Sequence, residues 1–221
     1  MQTIDRDVLY ESLMLNDELE VKKINLGEDK FSYFSVENVL KTPEKAKEML
    51  MNWPALDGGV YTPGARQNFT PMDIVPLLTG YKSIIEQMGG KVTPYNFITS
   101  SIMFQKGQKV WKNSWYPHTD YSLVCNLWLS DYDGGTAFYS NNGKCNKKDV
   151  PDYKAPHDPN KIVEWENFEG DDDWERYHVI PSKYNTLSIY DGTNFHGTYA
   201  TLTKELRYSI ISFYREDVNV A

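Results

Sequence analysis

Cysteine is scarce, with two in 221 residues. Cys125 and Cys145 lack the spacing of a metal knuckle, and Cys125 lies in an apolar run, which suits a buried thiol rather than half of a disulfide. Basic residues are also in deficit: 23 Lys and Arg stand against 31 Asp and Glu, for a formal net charge of −8. A protein that grips phosphate backbones carries a basic stripe, and none is visible, so a nucleic-acid partner is disfavoured. No stretch approaches the ~20 consecutive apolar residues of a membrane span. The opening MQTIDRDVLYESLML is charged early and lacks a signal-peptide apolar core. These absences together lead to the expectation of a soluble, reducing, cytoplasmic setting. Internal repeats and low-complexity tracts are missing too, and the length suits one domain spanning 1–221.

What the chain does have is aromatic rings, 14% of residues, with 16 Tyr and 6 Trp. Such rings suit sheets and lined pockets. The first 95 residues read as a helical support region. Thr42-Pro43 resembles an N-cap with proline at the first helical position, opening a helix over 44–51. A second helix is marked by Ile74, Leu77, Leu78, Tyr81, Ile84, Ile85 and Met88 at steps of three and four, stopped by Gly89-Gly90. Asp73 as its N-cap would place Pro76 harmlessly in the first turn. Between them, 61–66 is rich in turn residues.

From about residue 96 short β-branched and aromatic runs take over, at 97–104, 122–130, 136–139, 186–190, 197–200 and 208–214, separated by Gly, Asn, Asp and Pro. Helices followed by many short strands predict a mainly β fold, a sandwich or jelly roll with the helices packed on one sheet. An insert at about 141–176 interrupts the strands. It is polar, holds an acidic run from Glu164 to Glu175, and is long enough to be a lid or a partly unstructured connection. The run reads first as a solvated surface, and otherwise as a site for a basic substrate.

With four histidines in the chain, their placement is informative. His118-Thr119-Asp120 precedes a strand, and in extended backbone residues i and i+2 face the same way. An imidazole and a carboxylate therefore stand side by side, and His196, beside a later strand, offers a second imidazole. Two His and one carboxylate with open positions suit a ferrous ion that must also bind an organic co-substrate and O₂. On its own H-x-D is a common surface pair. Downstream, Arg207 opens a strand. A guanidinium can hold a carboxylate with two hydrogen bonds, and Ser209 on the same face can add a hydroxyl. A surface ion pair with Glu205 is the plainer reading of Arg207 alone. His157 and His178 read as surface or hydrogen-bonded residues.

These residues carry a resemblance. His118-Thr-Asp120, the strand 122–130 and Asp133-Gly-Gly-Thr-Ala-Phe138, followed by Pro181, the strand 186–190, His196 and Arg207-Tyr-Ser209, resemble the iron- and 2-oxoglutarate-dependent dioxygenases, in particular their prolyl-hydroxylase-like branch, over about 97–214. The resemblance implies a double-stranded β-helix (a cupin-like jelly roll) over 96–221. It implies His118, Asp120 and His196 as metal ligands for Fe(II), and Arg207 with Ser209 as the anchor of 2-oxoglutarate. O₂ is the other co-substrate, and ascorbate a reductant. Trp128 and Phe104 align with positions that often touch the co-substrate, but neither has a phenol, and Asn126 and Tyr116 are alternatives for those hydrogen bonds. Halogenating relatives replace the carboxylate with a small residue, so Asp120 favours hydroxylation. The substrate implied is a peptidyl or free amino acid, prolyl by analogy. A small-molecule oxygenase with the insert as specificity lid is the alternative, a nucleic-acid demethylase is disfavoured by charge, and a non-catalytic metal-binding jelly-roll module is the competing class.

Overall fold

The structure, a computed structural model, describes residues 5–27, 31–53, 56–57, 65–90, 97–104, 109–111, 116–120, 123–153, 161–200 and 207–214. Most of the turn segment 61–66, His157 and Glu205 lie outside them, as does the Phe104 side chain.

Three helices are described: α1 (Arg6–Ser12), α2 (Pro43–Asn52) and α3 (Val75–Gln87). Helix α3 starts one residue later than its sequence suggests. Ile74 is its N-cap, while the Asp73 carboxylate turns back to accept from the Thr70 amide at 2.8 Å and the Thr70 hydroxyl at 2.6 Å. Pro76 still falls in the first turn, where no intrahelical donor is lost.

The large sheet has eight antiparallel strands. Its order is β1 (Val21–Asn25), β2 (Ser32–Glu37), β11 (Thr186–Tyr190), β7 (Leu123–Trp128), β13 (Arg207–Tyr214), β5 (Phe97–Phe104), β4 (Ala65–Phe69) and β3 (Leu56–Asp57). A second sheet pairs β10 (Trp174–Ser182), β8 (Tyr132–Asn141) and β12 (His196–Ala200), and a short ribbon joins β6 (Lys109–Trp111) to β9 (Ile162–Glu164). The region expected to be helical support thus also supplies four strands of the large sheet. With helices on one face and a small sheet on the other, the layout is that of a jelly roll, as the sequence predicts.

Alternation of side chains explains how one strand serves two layers. In β7 and β11, Leu123, Cys125, Leu127, Leu187 and Ile189 point to the helices, where Leu13, Leu50, Leu77, Tyr81 and Ile84 complete the main core. Both faces are covered, so all six residues of β7 are buried and the run reads as continuously apolar except for Asn126. On the opposite face Tyr33, Val124 and Tyr190 meet Phe138 and Ile180 of the small sheet in a second cluster. This inner face is the one that carries the candidate site.

Gly134 and Gly135 hold the small sheet together by having no side chain. Both adopt positive φ, 129° and 155°, and a Cβ on Gly135 would collide with the Ile180 carbonyl of β10, one on Gly134 with the Tyr199 carbonyl of β12. The Asp-Gly-Gly-Thr motif is therefore a packing requirement of the strand that lies between them.

The insert forms a layer rather than a free connection. Tyr139 and Ala137 on the outer face of the small sheet pack with Trp174 and Phe195, and Val150, Tyr153 and Phe168 cover them. The acidic residues from Glu164 to Glu175 are all exposed, a solvated surface, on which Glu169 pairs with Arg176 at 2.6 Å and the Asp171 carboxylate accepts from the amides of Asp173 and Trp174. Both cysteines are buried, and neither is in a disulfide. Among the described residues no helix is long and apolar enough to cross a membrane.

Candidate metal and co-substrate site

The strand pairing brings distant residues together at one end of this inner face. His196 opens β12 and exchanges two main-chain hydrogen bonds with His118, each 2.9 Å. The Asp120 amide donates to the Gly192 carbonyl at 2.8 Å, which fixes the His-Thr-Asp segment beside the 191–194 loop. Oxygen and nitrogen ligand atoms of His118, Asp120 and His196 all lie within 4.8 Å of one another, and they are the one such group among the described residues.

The loop before His196 is built to aim its ring. The Asp191 carboxylate accepts from the Thr193 amide and hydroxyl, at 2.9 and 2.8 Å, and Asn146 donates to the Thr193 hydroxyl at 2.7 Å. This holds the Asn194 carbonyl 2.8 Å from His196 Nδ1. A carbonyl can only accept, so Nδ1 carries the proton and Nε2 faces the site. There it lies 3.0 Å from Asp120 Oδ2. A cation between an imidazole nitrogen and a carboxylate oxygen would satisfy both. A metal ion about 2.1 Å from each ligand sets neighbouring octahedral ligands about 3 Å apart, so this pair already has ligand spacing. His118 Nε2 is 3.8 Å from the same oxygen. Its side chain is 48% exposed against 4% for His196, so His118 is the outer, solvent-facing member of the group.

Deeper in, the inner face of the large sheet presents polar groups in rows. Tyr190 lies opposite Val124, Ser188 opposite Asn126, and Trp128 between Thr186 and Ser209. Rows two residues apart are about 6.6 Å apart along the strands. Arg207 closes the series, 2% exposed, with its guanidinium carbon 4.5 Å from the Trp128 ring centroid. The indole N–H of Trp128 donates to Ser188 at 3.3 Å, so the ring is a platform for the guanidinium. Ser209 Oγ and Asn126 Oδ1 are buried polar atoms with no hydrogen-bond partner among the described residues. Such atoms are costly to leave unsatisfied. A cationic guanidinium and a hydroxyl on one face can both donate to a carboxylate, whereas the Asn126 oxygen can only accept.

Tyr190 links the two ends. Burial holds its phenol far above the ordinary range, the Asp120 carboxylate adds to this, and the Thr136 side chain and the Arg207 guanidinium act in the opposite sense. Nothing in the sequence singles out Tyr190 before β11 is aligned with β7.

The remaining sequence candidates are placed as follows. The Phe104 backbone pairs with Arg207. Tyr116 packs on Phe168, ring centroids 5.0 Å apart, on the insert side and away from the polar rows. His178 lies on the small sheet opposite Phe138, its ring 5.6 Å from that of Tyr33. Burial lowers its pKa, which favours the neutral imidazole.

No family model and no curated protein matches the sequence. Solved structures do match. The epimerase SnoN in complex with Fe³⁺, α-ketoglutarate and nogalamycin RO superposes with a TM-score of 0.51 at 15% identity, over 83% of this chain and 81% of that one. HygX from Streptomyces hygroscopicus, with nickel, 2-oxoglutarate and hygromycin B bound, gives 0.50 at 11% identity over 83% and 82%. This chain shares their fold. A prolyl hydroxylase from Trichoplax adhaerens, in complex with a peptide fragment of hypoxia inducible factor, gives 0.48 at 13% identity over 83% of each chain.

Proposed function

We propose that the protein is an iron(II)- and 2-oxoglutarate-dependent dioxygenase of the prolyl-hydroxylase-like kind, a single domain that hydroxylates a peptidyl or free amino acid. The observation that carries this reading is the convergence of His118, Asp120 and His196, together with buried Arg207 on its Trp128 platform on the inner face of the large sheet. Ligands of iron would be the Nε2 atoms of the two histidines and an Asp120 carboxylate oxygen. Three protein ligands leave the remaining positions for a chelating 2-oxoacid and O₂. When bound, iron with 2-oxoglutarate and O₂ supplies the oxidising power that inserts one oxygen atom into a C–H bond, with succinate and CO₂ as co-products.

The protein's own residues bind, orient and shield. Arg207 and Ser209 hold the distal carboxylate of the co-substrate, with a fork of N–H donors that a lysine would lack. Asn126 and Trp128 line its path. Neutral, buried Tyr190, with Phe138 and Val124, keeps bulk water from the space between the sheets.

A second reading follows from the two neighbours with TM-scores of 0.5 or more, which are bound to nogalamycin RO and hygromycin B. By that reading the substrate is a small molecule rather than a peptide. The experiment is turnover under air with Fe(II), ascorbate and 2-oxoglutarate, followed as succinate. Wild type is expected to release succinate slowly without substrate, and His118→Ala none; equal rates from both would refute the oxygenase reading. Comparing lysate proteins and metabolites for mass gains of one oxygen then decides between peptide and small molecule.

A further inference from the structure

A cavity of about 250 Å³ opens at the end of the large sheet, and none of His118, Asp120 and His196 lines it. Its floor is apolar: Phe34, Leu123 and Ile189, whose side chains belong to the helix-side core rather than to the inner face. One wall is the 191–194 loop, through Asp191 and Asn194, together with Asn146. The volume is below the ~300–1,000 Å³ of pockets that take drug-sized molecules, and suits a metabolite of amino-acid size.

Two opposite charges flank that floor. Strand register sets Lys23 opposite Phe34 and Phe34 opposite Ile189, so the three share one face in a row across β1, β2 and β11. The Lys23 ammonium lies 5.9 Å from the Phe34 ring centroid, over the floor. Asp191 follows two residues after Ile189, at the far end of the row, two strand spacings or roughly 10 Å from β1. Its carboxylate accepts from the Thr193 amide and hydroxyl through Oδ1 alone. Neither Lys23 nor Asp191 is in an ion pair among the described residues. The other polar groups of the wall are already engaged: Asn146 donates to the Thr193 and Asn194 side chains at 2.7 and 3.3 Å, and the Asn194 side chain donates to the Asp191 carbonyl at 3.0 Å. A ligand of one charge would answer only one of the two; a small zwitterion with an apolar body answers both.

The same wall aims the metal group. The Asn194 carbonyl is 2.8 Å from His196 Nδ1, and the Gly192 carbonyl accepts from the Asp120 amide at 2.8 Å. We propose that this cavity binds a free α-amino acid with an apolar side chain, its carboxylate on Lys23 and its ammonium on Asp191, and that occupancy stiffens the 191–194 loop and so tightens metal binding. The site stands on its own lining residues; the coupling rests on the reading of His196 as an iron ligand.

The test is calorimetric titration of the metal-free protein with L-leucine, with 4-methylpentanoate, which lacks the ammonium, and with 3-methylbutylamine, which lacks the carboxylate. An ion pair in an open cavity is worth about fivefold in affinity. L-Leucine is expected to bind about fivefold or more tighter than either analogue. Lys23→Met is expected to weaken L-leucine about fivefold and leave 3-methylbutylamine unchanged. Asp191→Asn, which keeps an acceptor for Thr193, is expected to weaken L-leucine and 3-methylbutylamine but not 4-methylpentanoate. Repeating the titrations with Mn(II) reads the coupling: by reciprocity each ligand is expected to tighten the other by the same factor, about fivefold. L-Leucine binding that is absent, no tighter than that of the analogues, or undiminished in Lys23→Met overturns the proposal. Competition by 2-oxoglutarate in the Mn(II)-loaded protein also overturns it, because it puts the amino acid in the co-substrate site. Mn(II) affinity unchanged by L-leucine overturns the coupling. Wild type that binds L-leucine but no metal and 2-oxoglutarate overturns the functional reading and leaves the site standing. Should Asp191→Asn not fold, Lys23→Met, on an exposed stretch of edge strand, decides.

Discussion

His196→Ala is expected to abolish ferrous-ion binding, with a loss beyond the ~10–100-fold that removing an outer hydrogen-bond partner of a metal ligand costs. Of the three proposed ligands, His196 is the most buried and the best aimed. Its Nδ1 is anchored to the Asn194 carbonyl, and its Nε2 already stands 3.0 Å from Asp120. Removing it takes away the one donor that needs no rearrangement and leaves the Asp120 carboxylate facing a cavity. His118→Ala is expected to be severe but smaller, because the His118 ring is half exposed and less firmly held before the metal binds. Anaerobic calorimetry with Fe(II) measures both. The backbone bonds between residues 118 and 196 do not depend on either ring, so circular dichroism is expected to show a folded protein in both variants. Affinity within tenfold of wild type in His196→Ala would place the metal elsewhere.

For Arg207→Leu the expected result is a loss of about 100-fold in 2-oxoglutarate affinity, about 3 kcal/mol, with metal affinity unchanged. The reasoning is one of burial. A carboxylate drawn into the space between the sheets loses its water, and only a paired, fixed cation compensates for that. Arg207 is 2% exposed and braced by the Trp128 ring, so its position is set before the ligand arrives. Arg207→Lys tests the geometry separately from the charge. Lysine keeps one positive charge but loses the two-pronged contact and the flat stacking surface, so partial recovery is expected. An Arg207→Leu protein that binds 2-oxoglutarate within about threefold of wild type, 0.6 kcal/mol or so, would show that the guanidinium is not the anchor.

How much of this was legible in the sequence depends on the element. The strands Phe97–Phe104 and Thr186–Tyr190 appear where dense β-branched and aromatic residues place them. Strand β8 runs well beyond 136–139, because Gly134, Gly135 and the polar residues at 140–141 belong to the ladder without looking like it. Four N-terminal strands escape sequence reading for a physical reason. Val21–Asn25 is an edge strand, mostly exposed and polar, and its partner Ser32–Glu37 draws its register from strands more than a hundred residues downstream. The His-x-Asp pair, the later histidine and the arginine stood out because those residue types are rare and their spacing has a strand period. Tyr190 did not, since tyrosine is abundant in this chain and its ring meets His196 only through the folding of the sheets. Trp128 lacks a phenol for the co-substrate contact considered from sequence, and the structure gives its ring another task, bracing Arg207.

The most direct test is an anaerobic titration of the metal-free protein with Fe(II) and then 2-oxoglutarate, watched through the visible charge-transfer absorption that arises when a 2-oxoacid chelates ferrous iron. The account predicts one iron per chain and a band that saturates with 2-oxoglutarate in wild type and is absent in His196→Ala. A wild-type protein that takes up iron but never develops the band, or a His196→Ala protein that develops it undiminished, would contradict it.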